Sequence, residues 1–305
     1  MNKKSYFLLY IFYLACVLVF GCNNKDQNIK AAPEVLRQAV TDDLGRKVEV
    51  VRSVERIVSL APSITETLFA LGIGEKVVGV TSYCNYPSEA QSKTQVGDTL
   101  KPNIEQIISL KPDLVLITTA SQLEQFTTKL SQAGIAVFVV KAQTVEDVFK
   151  SIASIGKLTG REQQAKAILD NMNSRIEAVK KKVEGKTKPK VFIVIGTEPL
   201  ITAGRDSFIT DLVKIAGGDS ISADVASEWP IYSAETVIAK KPDVILLPID
   251  AHGSEAERRR LPEGLHETPA TKQGRTYTID GELILRPGPR IVDGIEEMAE
   301  LFYLQ

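Results

Sequence analysis

Apolar positions along the chain fall in two rhythms. Short, nearly continuous runs read as strands buried on both faces. They lie near residues 56–60, 77–81, 113–118 and 136–140, and again near 190–195, 244–248 and 275–279, with weaker candidates between. Elsewhere apolar residues recur every three or four positions, the period of a helix with one buried face. Pro62 and Ser63 open such a segment, with Ile64, Leu68, Phe69 and Leu71 turned inward and Gly72 and Gly74 closing it. Thr144, with Asp147 three residues on, caps a second helix carrying Val145, Val148, Phe149, Ile152 and Ile155, and Gly160 ends it. A longer period runs from Arg161 to Val183 through Ala165, Ile168, Leu169, Met172, Ile176, Val179 and Val183, with no Gly or Pro inside. At 1.5 Å per residue it spans about 35 Å. Ahead of all this, Thr41–Val50 reads as a hairpin with its turn at Asp43 to Gly45 and alternating valines after it.

One unit occurs twice. Ile104-Glu-Gln-Ile-Ile-Ser-Leu-Lys-Pro-Asp-Leu-Val-Leu-Ile117 is a helix, a Lys-Pro-Asp break and an apolar strand, and Ala234-Glu-Thr-Val-Ile-Ala-Lys-Lys-Pro-Asp-Val-Ile-Leu-Leu247 repeats it in the same phase. Glu105 thus matches Glu235, and Pro112-Asp113 match Pro242-Asp243. Two copies are too few for a solenoid and predict two similar lobes. Strands alternating with helices predict parallel sheets covered by helices. The fold expected is therefore α/β: two Rossmann-like lobes joined by a single long rigid helix, with a ligand cleft between them. The boundaries read as a first lobe over 41–143, connecting helices over 144–188 and a second lobe over 189–305. Without Gly or Pro in the strut, the cleft is expected to keep a nearly fixed width.

The first residues read as targeting. Lys3 and Lys4 precede an apolar run from Tyr6 to Phe20, and Gly21-Cys22 follows. That pattern is a signal peptide over 1–21, too short for a spanning helix. Leu18-Val-Phe-Gly-Cys22 resembles a bacterial lipobox, which implies cleavage before Cys22 and a lipid on its sulfur. Residues 22–40 then form a polar tether. The mature chain is expected to be exported, lipid-anchored at the outer face of the cytoplasmic membrane, and monomeric. Lys+Arg 37 against Asp+Glu 38 becomes 35 against 38 once Lys3 and Lys4 are gone, a net charge of −3. No basic excess exists for nucleic acid. Of three cysteines, Cys84 then has no internal partner, so no disulfide framework forms.

No catalytic constellation stands out. Gly-x-Ser-x-Gly and Walker loops are missing, and Gly72-Ile-Gly-Glu-Lys76 lacks the Rossmann spacing. His252 and His266, the two histidines, sit in polar sequence and read as surface residues, so no metal or cofactor is expected. Cys84 has no nearby histidine and reads as an inert thiol. The chain is therefore expected to bind rather than catalyse. In α/β lobes ligands sit beyond the carboxyl ends of the strands. There the sequence places Tyr83 and Tyr86, then Glu228-Trp-Pro-Ile-Tyr232 with the single tryptophan, then Arg286-Pro-Gly-Pro-Arg290. Aromatics with a few arginines suit a large, partly apolar ligand with polar or anionic edges.

Arg56-Ile-Val-Ser-Leu-Ala-Pro-Ser-Ile-Thr-Glu66, Thr81-Ser-Tyr-Cys-Asn-Tyr-Pro87, Leu110-Lys-Pro-Asp-Leu114, Glu228-Trp-Pro230 and Arg286-Pro-Gly-Pro-Arg290, in this order, resemble the substrate-binding proteins of bacterial ABC importers for vitamin B12, ferric siderophores and haem. The resemblance runs from about residue 41 to 303 and is nearest to the B12-binding branch. It implies that Tyr83, Tyr86 and Trp229 line a corrinoid cleft and that Arg290 and Arg286 hydrogen-bond ligand amides or a carboxylate. It also implies that Glu66 and Glu235, expected to be exposed, dock on arginines of the permease, which works with its ATPase. The repeat pairs Glu235 with Glu105 instead, so Glu105 competes with Glu66. Val96–Pro102 and Ile195–Ile201 carry no aromatic where the B12 binder has tryptophan and phenylalanine. Ferric siderophore and haem therefore stay open beside cobalamin, and haem would want a Tyr or His axial ligand.

Overall fold

A computed structural model describes residues 36–119, 123–249 and 261–304. The expected signal segment, Cys22 and His252 lie outside the described residues. The fold starts earlier than the hairpin pattern suggests. Strand β1 (Arg37–Thr41) pairs antiparallel with β2 (Lys47–Val51). Residues 37–40, read as tether, are thus the outer strand of a ribbon. Their apolar signal is weak because only alternate positions, such as Val40, are partly covered. Asp42 closes the turn: its Oδ1 accepts from the Leu44 and Arg46 amides at 3.1 and 2.9 Å, and Gly45 takes φ +77°.

Two parallel sheets follow. The first contains β3 (Ile57–Ser59), β4 (Val77–Val80), β5 (Thr94–Gln95), β6 (Leu114–Thr118) and β7 (Ala136–Val140), in the order β5-β4-β3-β6-β7. Its crossovers carry α1 (Pro62–Ala70), α2 (Ile104–Ser109) and α3 (Leu123–Gln132). β6 and β7 are buried along most of their length, which explains their unbroken apolar runs. Two helices then leave the sheet, α4 (Val145–Leu158) and α5 (Glu162–Val183). Thr144 and Asp147 form the capping box read from sequence.

The second sheet is β8 (Lys190–Ile193), β11 (Asp219–Ser220), β12 (Val244–Ile249) and β13 (Thr276–Asp280), in the order β11-β8-β12-β13; β9 (Gly196–Thr197) and β10 (Leu200–Ile201) form a small separate hairpin. Around it lie α6 (Phe208–Ile215), α7 (Ala234–Lys240), α8 (Pro269–Lys272), α9 (Gly281–Ile284) and α10 (Ile291–Phe302). Each sheet grows outward from its first strand and then resumes on the other side, so the strand order reverses beside β3 and beside β8. Such reversals open crevices at the carboxyl ends of strands.

The repeat is structural as well as sequential. Asn103 caps α2 and Ser233 caps α7, each through its side chain. Lys111 and Lys241 end these helices at φ 47° and 53°, a left-handed conformation that a non-glycine residue adopts at a cost. Asp113 Oδ2 then accepts from the Glu55 and Arg56 amides, and Asp243 Oδ2 from the Lys190 amide, each at 2.8 Å. In both copies the Lys-Pro-Asp break therefore fastens one strand to the entrance of its neighbour.

One continuous apolar cluster takes in α1 (Ile64, Leu68), α4 (Val148, Ile152), α5 (Met172, Ile176), α6 (Ile209, Leu212) and α10 (Ile295, Met298), together with one face of each sheet. Separate clusters cover the other faces. The 22 residues of α5 pack on α4 and α10, and Arg175 ties it to Asp293 and Glu296 of α10. The strut is thus embedded in a shared core.

Candidate functional site

Loops beyond the carboxyl ends of the two sheets meet. The loop after β4 carries Tyr83, Asn85 and Tyr86, while α1 begins right after β3 and places Glu66 at the reversal point of the first sheet. From the second sheet, β13 runs into α9, and the following turn carries Arg286, Gly288 and Arg290. Gly288 is buried against Ser63, whose carbonyl oxygen would lie 3.3 Å from a Cβ there, so the two segments approach closely.

A four-charge cluster joins these loops. Arg290 grips Glu66 in a fork, Nε to Oε2 at 2.9 Å and Nη2 to Oε1 at 2.7 Å. Arg286 Nη1 donates to Glu66 Oε1 at 3.1 Å and to Asn85 Oδ1 at 2.7 Å, and its Nη2 reaches Glu282 Oε1 at 2.9 Å. Asn85 Nδ2 donates in turn to Glu282 Oε1 at 2.6 Å. The Tyr86 ring lies under the Arg290 guanidinium, 3.8 Å from its centroid. Burial works against the Arg290 charge, but the Glu66 hydrogen bonds, with the charges of Glu66 and Glu282, outweigh it and hold the guanidinium above its usual range.

Glu66 is therefore not the exposed acid expected from sequence: its side chain is 2% exposed. Residues Ser63 to Leu68 of α1 are all buried: Thr65 bonds Ser59 and the Ala61 carbonyl, Thr67 bonds the Ser63 carbonyl, and Glu66 meets the second lobe's arginines. Glu105 and Glu235, the pair matched by the repeat, are both exposed in the first turns of their helices. Arg286 and Arg290 do stand at the junction, already engaged with carboxylates.

The three aromatic candidates are partly exposed. Tyr83 and Tyr86 are each 44% exposed and Trp229 is 40% exposed, high for such side chains. Leu100 and Ile231, which the sequence reading passed over, are 64% and 68% exposed on neighbouring loops. Ile231 follows Trp229 by two residues, and Leu100 falls in the segment without an aromatic. An apolar residue in a polar loop beyond a strand end was the only signal the sequence carried for them. The tryptophan loop is braced from below. The Gly204 amide donates to the Glu228 carbonyl at 3.1 Å, and a Cβ on Gly204 would lie 2.2 Å from the Ser227 oxygen. Lys240 Nζ ties the Ile221 carbonyl, Asp224 and Tyr232 Oη together. Burial pushes the Glu228 carboxyl up, Lys141 of the first lobe opposes that, and Asp206 adds to it.

The remaining candidates are quiet. Cys84 is buried at 4% exposure between the Thr65 and Thr81 hydroxyls, 3.1 and 3.2 Å from its sulfur. His266 is exposed. Among the described residues no group of three or more His, Cys, Asp or Glu is placed to hold a metal, and no helix is long and apolar enough to cross a membrane. Two surface cavities, about 270 Å³ beside the hairpin and about 320 Å³ lined by Asp43, Lys141, Gln143, Asp147 and Lys150, contain none of the aromatic or arginine candidates.

Known proteins agree with this architecture. The chain is 35% identical over 301 residues to the uncharacterized ABC transporter substrate-binding lipoprotein YvrC of Bacillus subtilis, covering 95% of this chain and 94% of that one. It is 33% identical to the cobalamin-binding protein of Halobacterium salinarum, over 82% of this chain and 69% of that one. The apo structure of the periplasmic heme-binding protein RhuT from Roseiflexus sp. RS-1 superposes with a TM-score of 0.72 at 30% identity, over 82% of this chain and 98% of that one. The periplasmic binding protein profile matches residues 57–283, which run from β3 of the first sheet into α9 beyond the second. With its two parallel sheets and the loops that meet beyond their strand ends, the chain belongs to the periplasmic binding protein family, as a substrate-binding protein of the ABC-transporter class.

Proposed function

We propose that the protein is the extracytoplasmic, lipid-anchored binding component of an ABC importer and captures cobalamin or a related corrinoid for delivery to the permease. It acts by binding and release, with no chemistry on its ligand. The observation that carries this reading is the set of three half-exposed aromatics, Tyr83, Tyr86 and Trp229, on loops beyond the carboxyl ends of two parallel sheets. Flat apolar side chains beside a polar cluster fit a macrocycle edged with amides. The cobalamin-binding relative supports the same ligand.

Docking on the permease is assigned to Glu105 and Glu235. They are related by the repeat, exposed, and carried in the first turns of capped helices, one on each lobe. A pair of like acids set symmetrically suits a partner that presents a basic group to each lobe. Lipid on Cys22 would hold the protein near that partner, two acyl chains giving the stable anchoring that one does not.

The test is titration calorimetry of residues 23–305 with cyanocobalamin. One-to-one binding is expected, and Trp229→Ala should weaken it by about 1–3 kcal/mol, roughly 5- to 150-fold. Unchanged affinity would remove Trp229 from the site. A second reading, haem or a ferric siderophore, is favoured by Leu100 standing where the cleft lacks an aromatic and by the haem-binding structural neighbour. It predicts silence with cobalamin and binding of haem or of the iron chelate.

A further inference from the structure

The inter-lobe cluster has an unusual charge ledger for a site built around arginines. Arg286 and Arg290 supply two positive charges, and Glu66 and Glu282 supply two negative ones, with each arginine within reach of both carboxylates. The nearest further carboxylate of that turn, Asp280, is spent capping α9, where it accepts from the Glu282 amide at 2.8 Å. The two arginines are 13% and 17% exposed at the side chain and Glu282 is 15% exposed, so the cluster shows an edge to solvent while Glu66 is sealed behind it. Among the described residues the Nη1 group of Arg290 has no hydrogen-bond partner. The exposed edge therefore offers N–H donors from Arg290 and carboxylate acceptors from Glu282 side by side.

A primary amide needs both kinds of partner, since it donates and accepts. A carboxylate only accepts. It would also have to approach two fixed negative charges whose neutralising arginines are already committed. We infer that Glu66, with Glu282, is a specificity-determining residue: by neutralising Arg286 and Arg290 it makes the cleft select neutral, amide- or ester-edged macrocycles over their carboxylate counterparts. Glu66 is a positioning residue. It is sealed from the ligand and acts by fixing the two guanidiniums and cancelling their charge. The inference rests on the proposal that this end of the cleft meets the ligand, and not on which macrocycle is bound.

The experiment compares neutral ligands with their carboxylate counterparts. The first pair is cyanocobalamin and its propionic monocarboxylic acids, each of which has one propionamide replaced by a propionate. The second is haemin dimethyl ester and haemin. Affinities for wild type, Glu66→Gln and Glu282→Gln are measured by absorbance or calorimetric titration at neutral pH. The neutral member of a pair should bind the wild type at least tenfold tighter. Each glutamine variant keeps the side-chain shape and leaves one positive charge uncompensated, so the ratio should fall tenfold or more, or invert. The readout is a ratio within one preparation, so a loss of folded protein cancels, and Glu282→Gln stands in should Glu66→Gln fold poorly. Wild type preferring the acid, or a ratio unmoved in both variants, overturns the inference. Silence with cobalamin while the haem pair obeys the charge rule would sink the corrinoid reading and leave the inference standing. Silence with all four compounds would sink both.

Discussion

Replacing Glu66 by alanine would strand two guanidiniums in a largely buried junction. Glu66 accepts three hydrogen bonds from them, at 2.7, 2.9 and 3.1 Å. Removing one partner of a buried pair costs about 3–5 kcal/mol. Two features lower that figure. Arg286 keeps Glu282 at 2.9 Å and Asn85 at 2.7 Å, and Arg290 keeps the Tyr86 ring and a long contact to Glu282 at 3.5 Å. Both arginines also retain some access to water. The expected loss is therefore about 2–3.5 kcal/mol, around the lower end of that range. For a chain of this size it corresponds to roughly 5–12 °C in Tm. The two sheets share one apolar cluster, so they should unfold together and give a single transition. The assay is urea denaturation followed by far-UV circular dichroism, with Glu66→Gln as the isosteric control, expected to lose about half as much because it can still accept from Arg290. A loss under about 1 kcal/mol, or one matching that of exposed Glu105→Ala, would mean that the inter-lobe fork does not hold in solution and would refute the reasoning.

Other consequences are equally direct. Glu105→Ala combined with Glu235→Ala should leave ligand affinity within twofold and reduce uptake in cells at least tenfold, because both acids are exposed in the first turns of their helices; normal uptake would remove them from the docking surface. Burial raises the folded-state pKa of Glu228 above its ordinary 4.5, so the folded protein holds that proton more tightly than the unfolded chain. The stability this confers is complete below about pH 4.5 and is lost as pH rises through the folded value; Glu228→Gln should therefore match wild type at pH 4 and exceed it at pH 7, and equal stability at both would contradict the assignment. Lys111→Gly and Lys241→Gly should each stabilise the fold by about 0.5–1 kcal/mol through relief of a left-handed backbone, read as an upward shift in Tm, and destabilisation would show that the lysine side chains matter more than the backbone.

What the sequence made legible was what depends on near neighbours. The buried strands β6, β7 and β12 announced themselves as apolar runs, and α4 and α5 by period and cap, because burial of one face imposes a local rhythm. The two-residue strands β5 and β11 were invisible, since edge strands so short carry no period. The start of the ribbon at Arg37 was hidden for another reason: three of its five positions are exposed and the other two are only partly covered. Trp229 was legible as an aromatic in a polar loop, whereas Leu100 and Ile231 passed as ordinary apolar residues because sequence does not record exposure.

Glu66 marks the limit of that legibility. Its partner Arg286 lies 220 positions away, and nothing within one helical turn of Glu66 distinguishes a solvated acid from one that faces two arginines. The repeat carried more information than the isolated motif. In each copy a capped helix bears an acid in its first turn, a left-handed lysine ends it, and an aspartate fastens the next strand. A helix whose whole geometry is duplicated presents its surface acid in the same way on both lobes, and that is the arrangement a partner spanning the lobes would read. Glu66 lies outside the duplicated unit, with its carboxylate turned inward on the two arginines. The proposed division of labour among the three acids rests on placement: Glu105 and Glu235 are exposed and outward, as recognition of another protein would need, and Glu66 is buried against Arg286 and Arg290, as setting the charge of the cleft would need.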